Sequence, residues 1–195
     1  MIGIFREALK LQEFCDGEGW QSCLIGGIAV QRWSQARVTR DIDITLLTGF
    51  GDEERFIAGL LAKYRSRIEG GGEFALRSRV LLLVSEEGVG IDVSLGALPF
   101  EAEAVVRATP YEFEPGVWLR TCSAEDLMVM KLFAARAIDM RDAEGIALRQ
   151  GEGLDWSYVE RQLTPLAEVK EDAGILKELE RMRQLAVRAL DNSSR

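Results

Sequence analysis

Arg37-Val38-Thr39-Arg40-Asp41-Ile42-Asp43-Ile44-Thr45-Leu46 sets Ile42, Ile44 and Leu46 in strict alternation with Asp41, Asp43 and Thr45. Successive side chains leave a strand on opposite faces, so this period of two predicts a strand. The three aliphatics share the buried face, and Asp41 and Asp43 point together from the other. Two carboxylates so placed repel each other unless a cation lies between them, which makes Asp-x-Asp a ligand pair for a hard ion such as Mg²⁺. An edge strand with a solvated acidic face carries the same letters, so the pair alone leaves both readings open.

Just upstream, residues 22–25 form a short apolar run ending at Gly26-Gly27, and Ile28, Ala29, Val30 and Trp33 follow with helical spacing. The order is strand, glycine turn, helix. Glycines at that point let backbone N–H groups approach a ligand, and a helix N-terminus favours anions such as phosphate. A tight turn needing positive φ gives the same pair. Downstream, Phe56, Ile57, Leu60, Leu61 and Tyr64 form one apolar stripe of a helix over about 52–65. Residues 80–84 and 91–95 flank Ser85-Glu86-Glu87-Gly88 as a β-hairpin, and 117–119 is one more strand. Asp92 stands between Ile91 and Val93 on the second arm, where a carboxylate needs a charge, a metal or a path to solvent. Glu86, Glu87 and Glu101 are its rivals as a third carboxylate. Gly70-Gly71-Gly72 reads as a loop.

A first helix over about 4–14 precedes these elements, and beyond Ser123 the pattern turns helical. Ser123-Ala124-Glu125-Asp126 resembles a capping box before 127–135, with further helices at about 140–149, 155–163 and 171–190. In the last of these, Ile175, Leu179, Met182, Ala186 and Ala189, flanked by Leu176, Leu185 and Leu190, make a stripe that packs on the domain. The expected architecture is α/β, with a small mixed sheet flanked by helices over 1–122 and a helical region over 123–195 packed on that core.

Composition narrows the chemistry. The 195 residues include no histidine, which removes Ser-His-Asp and Cys-His catalysis, His-ligated zinc and imidazole acid–base work together. Three cysteines, Cys15, Cys23 and Cys122, without CxxC spacing suggest neither a disulfide framework nor a zinc site. The longest apolar run falls far short of the roughly 20 residues of a membrane helix, and no basic-then-apolar leader opens the chain, so a soluble cytoplasmic protein is expected. A net charge of −8 argues against broad wrapping of nucleic acid. Lys63, Arg65, Arg67, Arg77 and Arg79 are nevertheless a local basic stretch, read either as a patch or as a solvated helix face and hairpin rim.

Leu24-Ile25-Gly26-Gly27, then Arg37 through Ile44, and later Ile91-Asp92-Val93 together resemble the signature of the DNA polymerase beta-type nucleotidyltransferase superfamily. The helical part, Glu125 through Arg136 followed by Asp139-Met140-Arg141-Asp142, is similar to the lysine helix and trailing Asp-x-x-Asp of its minimal members, which include toxins of abortive-infection, type IV toxin–antitoxin systems. The resemblance covers about residues 22–163. It implies that Gly26 and Gly27 cradle a triphosphate, that Asp41, Asp43 and Asp92 bind Mg²⁺, two ions in all, and that Asp92 orients or deprotonates the attacking hydroxyl. It implies further that Lys131 meets the triphosphate, with Arg40 and Asp142 also on the nucleotide. Lys131 as a snorkelling lysine is the bland alternative, and Asp139 and Asp142 either position Lys131 or a substrate hydroxyl or cap and pair with Arg136 and Arg141. Arg37 and Arg40 either contact the nucleotide or acceptor or neutralise nearby acids. The implied reaction transfers a nucleoside monophosphate from an NTP, ATP among them, to a hydroxyl of an RNA 3′ end (tRNA included), a protein or a small molecule, with an antitoxin as possible partner. The alternative is a catalytically idle nucleotide-binding or toxin–antitoxin interaction protein of the same fold.

Overall fold

The computed structural model describes residues 2–193. The chain divides into two compact units, Met1–Ala29 with Val38–Cys122, and Val30–Arg37 with Ser123–Arg195.

In the first unit the described residues form a mixed seven-stranded sheet. Its strands are β1 (Ser22–Leu24), β2 (Asp41–Leu47), β3 (Arg65–Ser66), β4 (Val80–Val84), β5 (Gly90–Gly96), β6 (Thr109–Glu114) and β7 (Val117–Thr121), in spatial order β3-β4-β5-β2-β1-β7-β6. The expected strand over Asp41 to Leu46 lies at the centre, antiparallel to β1 and parallel to β5. Its alternation has the physical cause inferred for it. Ile42, Ile44 and Leu46 are fully buried in one core with Leu81, Leu83, Ile91, Val93 and Leu95, and with Ile4, Phe5, Ala8 and Leu11 of helix α1 (Ile2–Gly17). Burying each such side chain contributes on the order of 1.5–3 kcal/mol. The hairpin is present as β4 and β5, paired from Val80↔Ser94 to Val84↔Gly90.

Several elements escape the pattern, the two-residue β3 among them. Gly70-Gly71-Gly72 is a helix start rather than a loop: Gly70 is left-handed at φ 62°, and α4 runs Gly71–Ser78. A Cβ on Gly71 would lie 2.1 Å from Ser66 Oγ, so that glycine is needed for close packing. α4 buries only Gly71 and Ala75, too few apolar positions to register as a stripe. The edge strand β6, largely exposed and carrying Pro110, was hidden for the same reason, whereas α5 (Pro99–Arg107) buries Phe100, Ala104 and Val105 at helical spacing and was simply not among the expected helices. α3 (Glu53–Lys63) is where its stripe placed it.

The second unit contains the end of α2 (Gly26–Trp33), then α6 (Ala124–Ala134), α7 (Ala137–Gln150), α8 (Trp156–Lys170) and α9 (Gly174–Ser193). Ser123 caps α6, its Oγ accepting from Asp126 N–H at 3.1 Å and donating to Asp126 Oδ2 at 2.6 Å. The stripe Ile175, Leu179, Met182 and Ala186 is buried, and α9 packs on α7 and α8; the side chain of Leu190 lies outside the described residues. Asp126 is fully buried and accepts from the Tyr158 hydroxyl at 2.6 Å. Tyr158→Phe is expected to cost about 1.5–3 kcal/mol in urea denaturation, because it strips a donor from a buried carboxylate. The three cysteines are buried thiols. No helix among the described residues is long and apolar enough to cross a membrane.

Candidate active site

β2 and β5 pair in parallel with Asp43 opposite Asp92 and Asp41 opposite Gly90. Neighbouring strands lie about 4.8 Å apart, so the two partners Asp43 and Asp92 stand side by side. Ile42, Ile91 and Val93 are buried on the other face, leaving all three carboxylates at one end of the sheet, Asp41 exposed and the other two half-buried. Burial, opposed by Arg67 and reinforced by the charge of Asp41, leaves the Asp92 carboxyl above its ordinary value. Glu86 and Glu87 are exposed in the hairpin turn. Glu101 is engaged at the start of α5, accepting from Ala97 and Leu98 N–H at 2.8 Å each.

The glycine pair meets this edge directly. Gly27 N–H donates to Asp43 Oδ2 at 3.3 Å. Gly26 is left-handed at φ +55°, and a Cβ there would fall 2.0 Å from Asp43 Oδ2; on Gly27 it would fall 2.2 Å from Thr39 Oγ1. Gly26 thus has the positive φ of a tight turn, and the side chain packed against it is Asp43. Gly26→Ala is expected to destabilise the protein by about 1–2 kcal/mol from its backbone alone, with more from displacing the Asp43 side chain. Equilibrium urea unfolding checks this without reference to activity.

Two residues at this edge were not legible as members of it. Arg67 donates to Asp92 Oδ1, and its other terminal nitrogen lies 3.8 Å from Asp41 Oδ1. Gly90 sits beneath them: a Cβ there would be 2.1 Å from Asp41 Oδ1 and 3.0 Å from Arg67 Nη1. Within the local basic stretch, Arg67 serves the carboxylates, Arg79 pairs with Glu53 at 2.5 Å and Arg77 with Glu73 at 3.9 Å, while Lys63 and Arg65 are exposed. Arg40 is exposed and lines a groove of about 670 Å³ with Arg6, Glu7, Lys10 and Val38.

For a metal, the donors at the edge fit in kind: oxygen only, and a cation, the guanidinium of Arg67, already drawn to two of them. In position, no group of three or more Asp, Glu or Cys side chains among the described residues gathers tightly enough to hold an ion.

In the second unit, Lys131 on α6 is buried with its Nζ 3.0 Å from Asp139 Oδ1 and 2.8 Å from Asp142 Oδ2. The two carboxylates leave one face of α7, as their i, i+3 spacing requires. Arg136 donates to Asp139 Oδ2 at 2.5 Å, and Arg37 grips Asp142 with two bonds of 2.8 Å. Arg37 therefore neutralises an acid, and the partner of Asp142 is Arg37 rather than Arg141. Burial pushes both carboxyls up, but Arg136 with Lys131 on Asp139, and Arg37 with Lys131 on Asp142, outweigh it and hold both below the ordinary value.

The fold assembled around these sites is the mixed α/β fold of nucleotidyltransferase-like proteins. The crystal structure of an antigenic nucleotidyltransferase-like protein from Paracoccidioides brasiliensis is similar with a TM-score of 0.50 over 90% of this chain and 91% of that one, at 13% sequence identity. The solution structure of the antibiotic-resistance factor ANT(2'')-Ia aligns with 97% of this chain and 92% of its own, at 17% identity and a TM-score of 0.44. No protein-family model matches the chain, and no curated protein does.

Proposed function

We propose that the protein is a Mg²⁺-dependent nucleotidyltransferase of the toxin type, moving a nucleoside monophosphate from an NTP such as ATP to an acceptor hydroxyl in the cytoplasm. The observation that carries this is the juxtaposition of Asp41, Asp43 and Asp92 on two adjacent parallel strands, beside the glycine start of α2. Asp41, Asp43 and Asp92 would hold Mg²⁺, two ions, which would supply charge neutralisation at the transferred phosphate. The acceptor oxygen attacks the α-phosphorus, the bond to the β-phosphate oxygen breaks, and pyrophosphate leaves. Asp92 orients the acceptor hydroxyl or takes its proton. The N–H groups of the first turn of α2, beginning at Gly26-Gly27, receive phosphate oxygens. Lys131 meets the triphosphate, its ammonium fixed by Asp139 and Asp142 with one of three donors left over. Arg40 and Asp142 complete the nucleotide contacts, and the acceptor is an RNA 3′ end such as that of tRNA, a protein hydroxyl or a small molecule, with an antitoxin as the regulating partner.

A second function is favoured by one observation. Because Arg67 already occupies Asp41 and Asp92, a catalytically idle member of the fold, binding nucleotide or a partner protein, is consistent with the same edge. Incubation with each labelled NTP, Mg²⁺ and a cell extract separates the two. Label transfer that EDTA abolishes and Mg²⁺ restores is expected of the enzyme; no transfer with any NTP, alongside calorimetric NTP binding, points to the idle protein.

A further inference from the structure

We propose that the cavity between α1, the end of α3 and the β4–β5 turn binds a small organic cation, a primary ammonium joined to an aromatic ring. Its lining belongs to the first unit and includes none of Asp41, Asp43 and Asp92, so the inference stands apart from nucleotidyl transfer. The cavity measures about 480 Å³, within the roughly 300–1,000 Å³ that small-molecule sites occupy.

One buried charge sets its chemistry. The side chain of Glu7, on α1, is only 7% exposed, and its Oε1 accepts from Lys10 Nζ at 2.6 Å. Among the described residues no hydrogen bond reaches its Oε2. A carboxylate accepts at both oxygens, so half of this buried acceptor is left unused. Lys10 compensates it loosely: the lysine side chain is 62% exposed, and Glu86 and Glu87 of the β4–β5 turn act on the same ammonium. Glu13 and Glu86 stand with Glu7 around the cavity against Lys10 and Lys63, a net negative lining that favours a cation over an anion.

Two aromatic rings adjoin this charge. Phe14 and Tyr64 both line the cavity and meet edge to face, with centroids 6.1 Å apart at 87°. Phe14 continues edge-on to Trp20 at 5.6 Å, so a ligand ring would join an aromatic cluster already formed. Tyr64 is 9% exposed, and its hydroxyl is buried without a hydrogen-bond partner. Burial, with Cys15 and Glu7 adding to it, pushes that hydroxyl up to about 12, so it stays neutral with a lone pair to offer. An ammonium carries three donors. One meets Glu7 Oε2, one meets the Tyr64 oxygen, and the third remains with water, so both unused acceptors gain a partner from a single group.

Isothermal titration calorimetry of the full chain with phenethylamine, phenylacetate and methylamine tests this. Phenethylamine carries both features, phenylacetate the ring with the opposite charge, and methylamine the ammonium alone. Saturable binding of phenethylamine is expected, with the other two each at least about tenfold weaker. Glu7→Gln, close in size and still able to accept from Lys10, is expected to weaken phenethylamine binding about tenfold or more. Tyr64→Phe keeps the ring and removes the unpartnered hydroxyl. It is expected to weaken binding by about threefold or more and to unfold in urea at an equal or higher midpoint, because no native hydrogen bond is lost. No saturable binding at millimolar phenethylamine overturns the proposal, as does phenylacetate binding equally well. Methylamine binding as tightly as phenethylamine reduces the effect to attraction by an acidic surface and overturns it too. Undiminished binding in Glu7→Gln has the same consequence, and should that variant not fold, undiminished binding in Tyr64→Phe does.

Discussion

Replacing Asp139 with alanine is expected to lower folding stability by about 3–5 kcal/mol. Asp139 is fully buried and holds two cations, Lys131 at 3.0 Å and Arg136 at 2.5 Å. Arg136 is 73% exposed in its side chain and can turn to water, so its loss matters little. Lys131 cannot: 7% of its side chain reaches solvent, and Asp142, shared with Arg37, is its one remaining carboxylate. The cost is therefore that of an under-compensated buried ammonium. Removing both partners, in Lys131→Met/Asp139→Leu, is expected to recover much of the loss, since well-packed apolar groups replace buried pairs with little penalty. Chemical denaturation of the single and double variants gives the comparison, and equal destabilisation in both would show that packing, not charge, governs the site.

The same network sets a pH dependence. The Asp139 and Asp142 carboxyls are held below their ordinary 3.8 in the folded protein, so the unfolded chain takes up protons first as pH falls. Their contribution is complete above the ordinary carboxylate range and is lost as pH drops below 3.8 toward the folded values. The stability gap between wild type and Asp139→Ala should hold from neutral pH down to about pH 5 and narrow below the ordinary carboxylate range near 4.

What could be read without the structure follows from what is local. The face shared by Asp41 and Asp43 is a property of one strand, and two residues of spacing determine it. The stripe of α3 and the cap at Ser123 are equally local. By contrast, Asp43 meets Asp92 only because β5 adds beside β2 in parallel after α3, β3, α4 and β4, a pairing that no short-range period encodes. Arg67 reaches Asp92 across 25 residues and Arg37 reaches Asp142 across 105, so the sequence offered their charges but no partners. Gly90 carries no signal at all, because its significance is the space it leaves for Asp41. α4 and β6 were hidden since each buries too few apolar groups to impose a period.

Asp43→Asn is expected to lower nucleotidyl transfer by on the order of 10³-fold or more while leaving the fold intact, if the carboxylate edge is where the chemistry occurs. The amide keeps the size of the carboxylate and an oxygen that can accept from Gly27 N–H, now at 3.3 Å from Asp43 Oδ2. It also relieves repulsion among Asp41, Asp43 and Asp92, so unfolding in urea should be unchanged or shifted slightly toward greater stability. What is lost is one unit of negative charge able to hold a hard cation, and no neighbour can supply it: Glu86 and Glu87 are in the exposed hairpin turn and Glu101 is bound to the start of α5. Asp52→Asn is the matched control, because Asp52 is an exposed surface carboxylate paired with Arg55 at 2.5 Å and should leave both transfer and stability within about 0.5 kcal/mol of wild type. Steady-state label transfer and urea unfolding on the same three proteins make the comparison. Transfer in Asp43→Asn within a few-fold of wild type would move the chemistry away from this edge; transfer lost together with stability would make Asp43 a packing residue of the glycine turn instead.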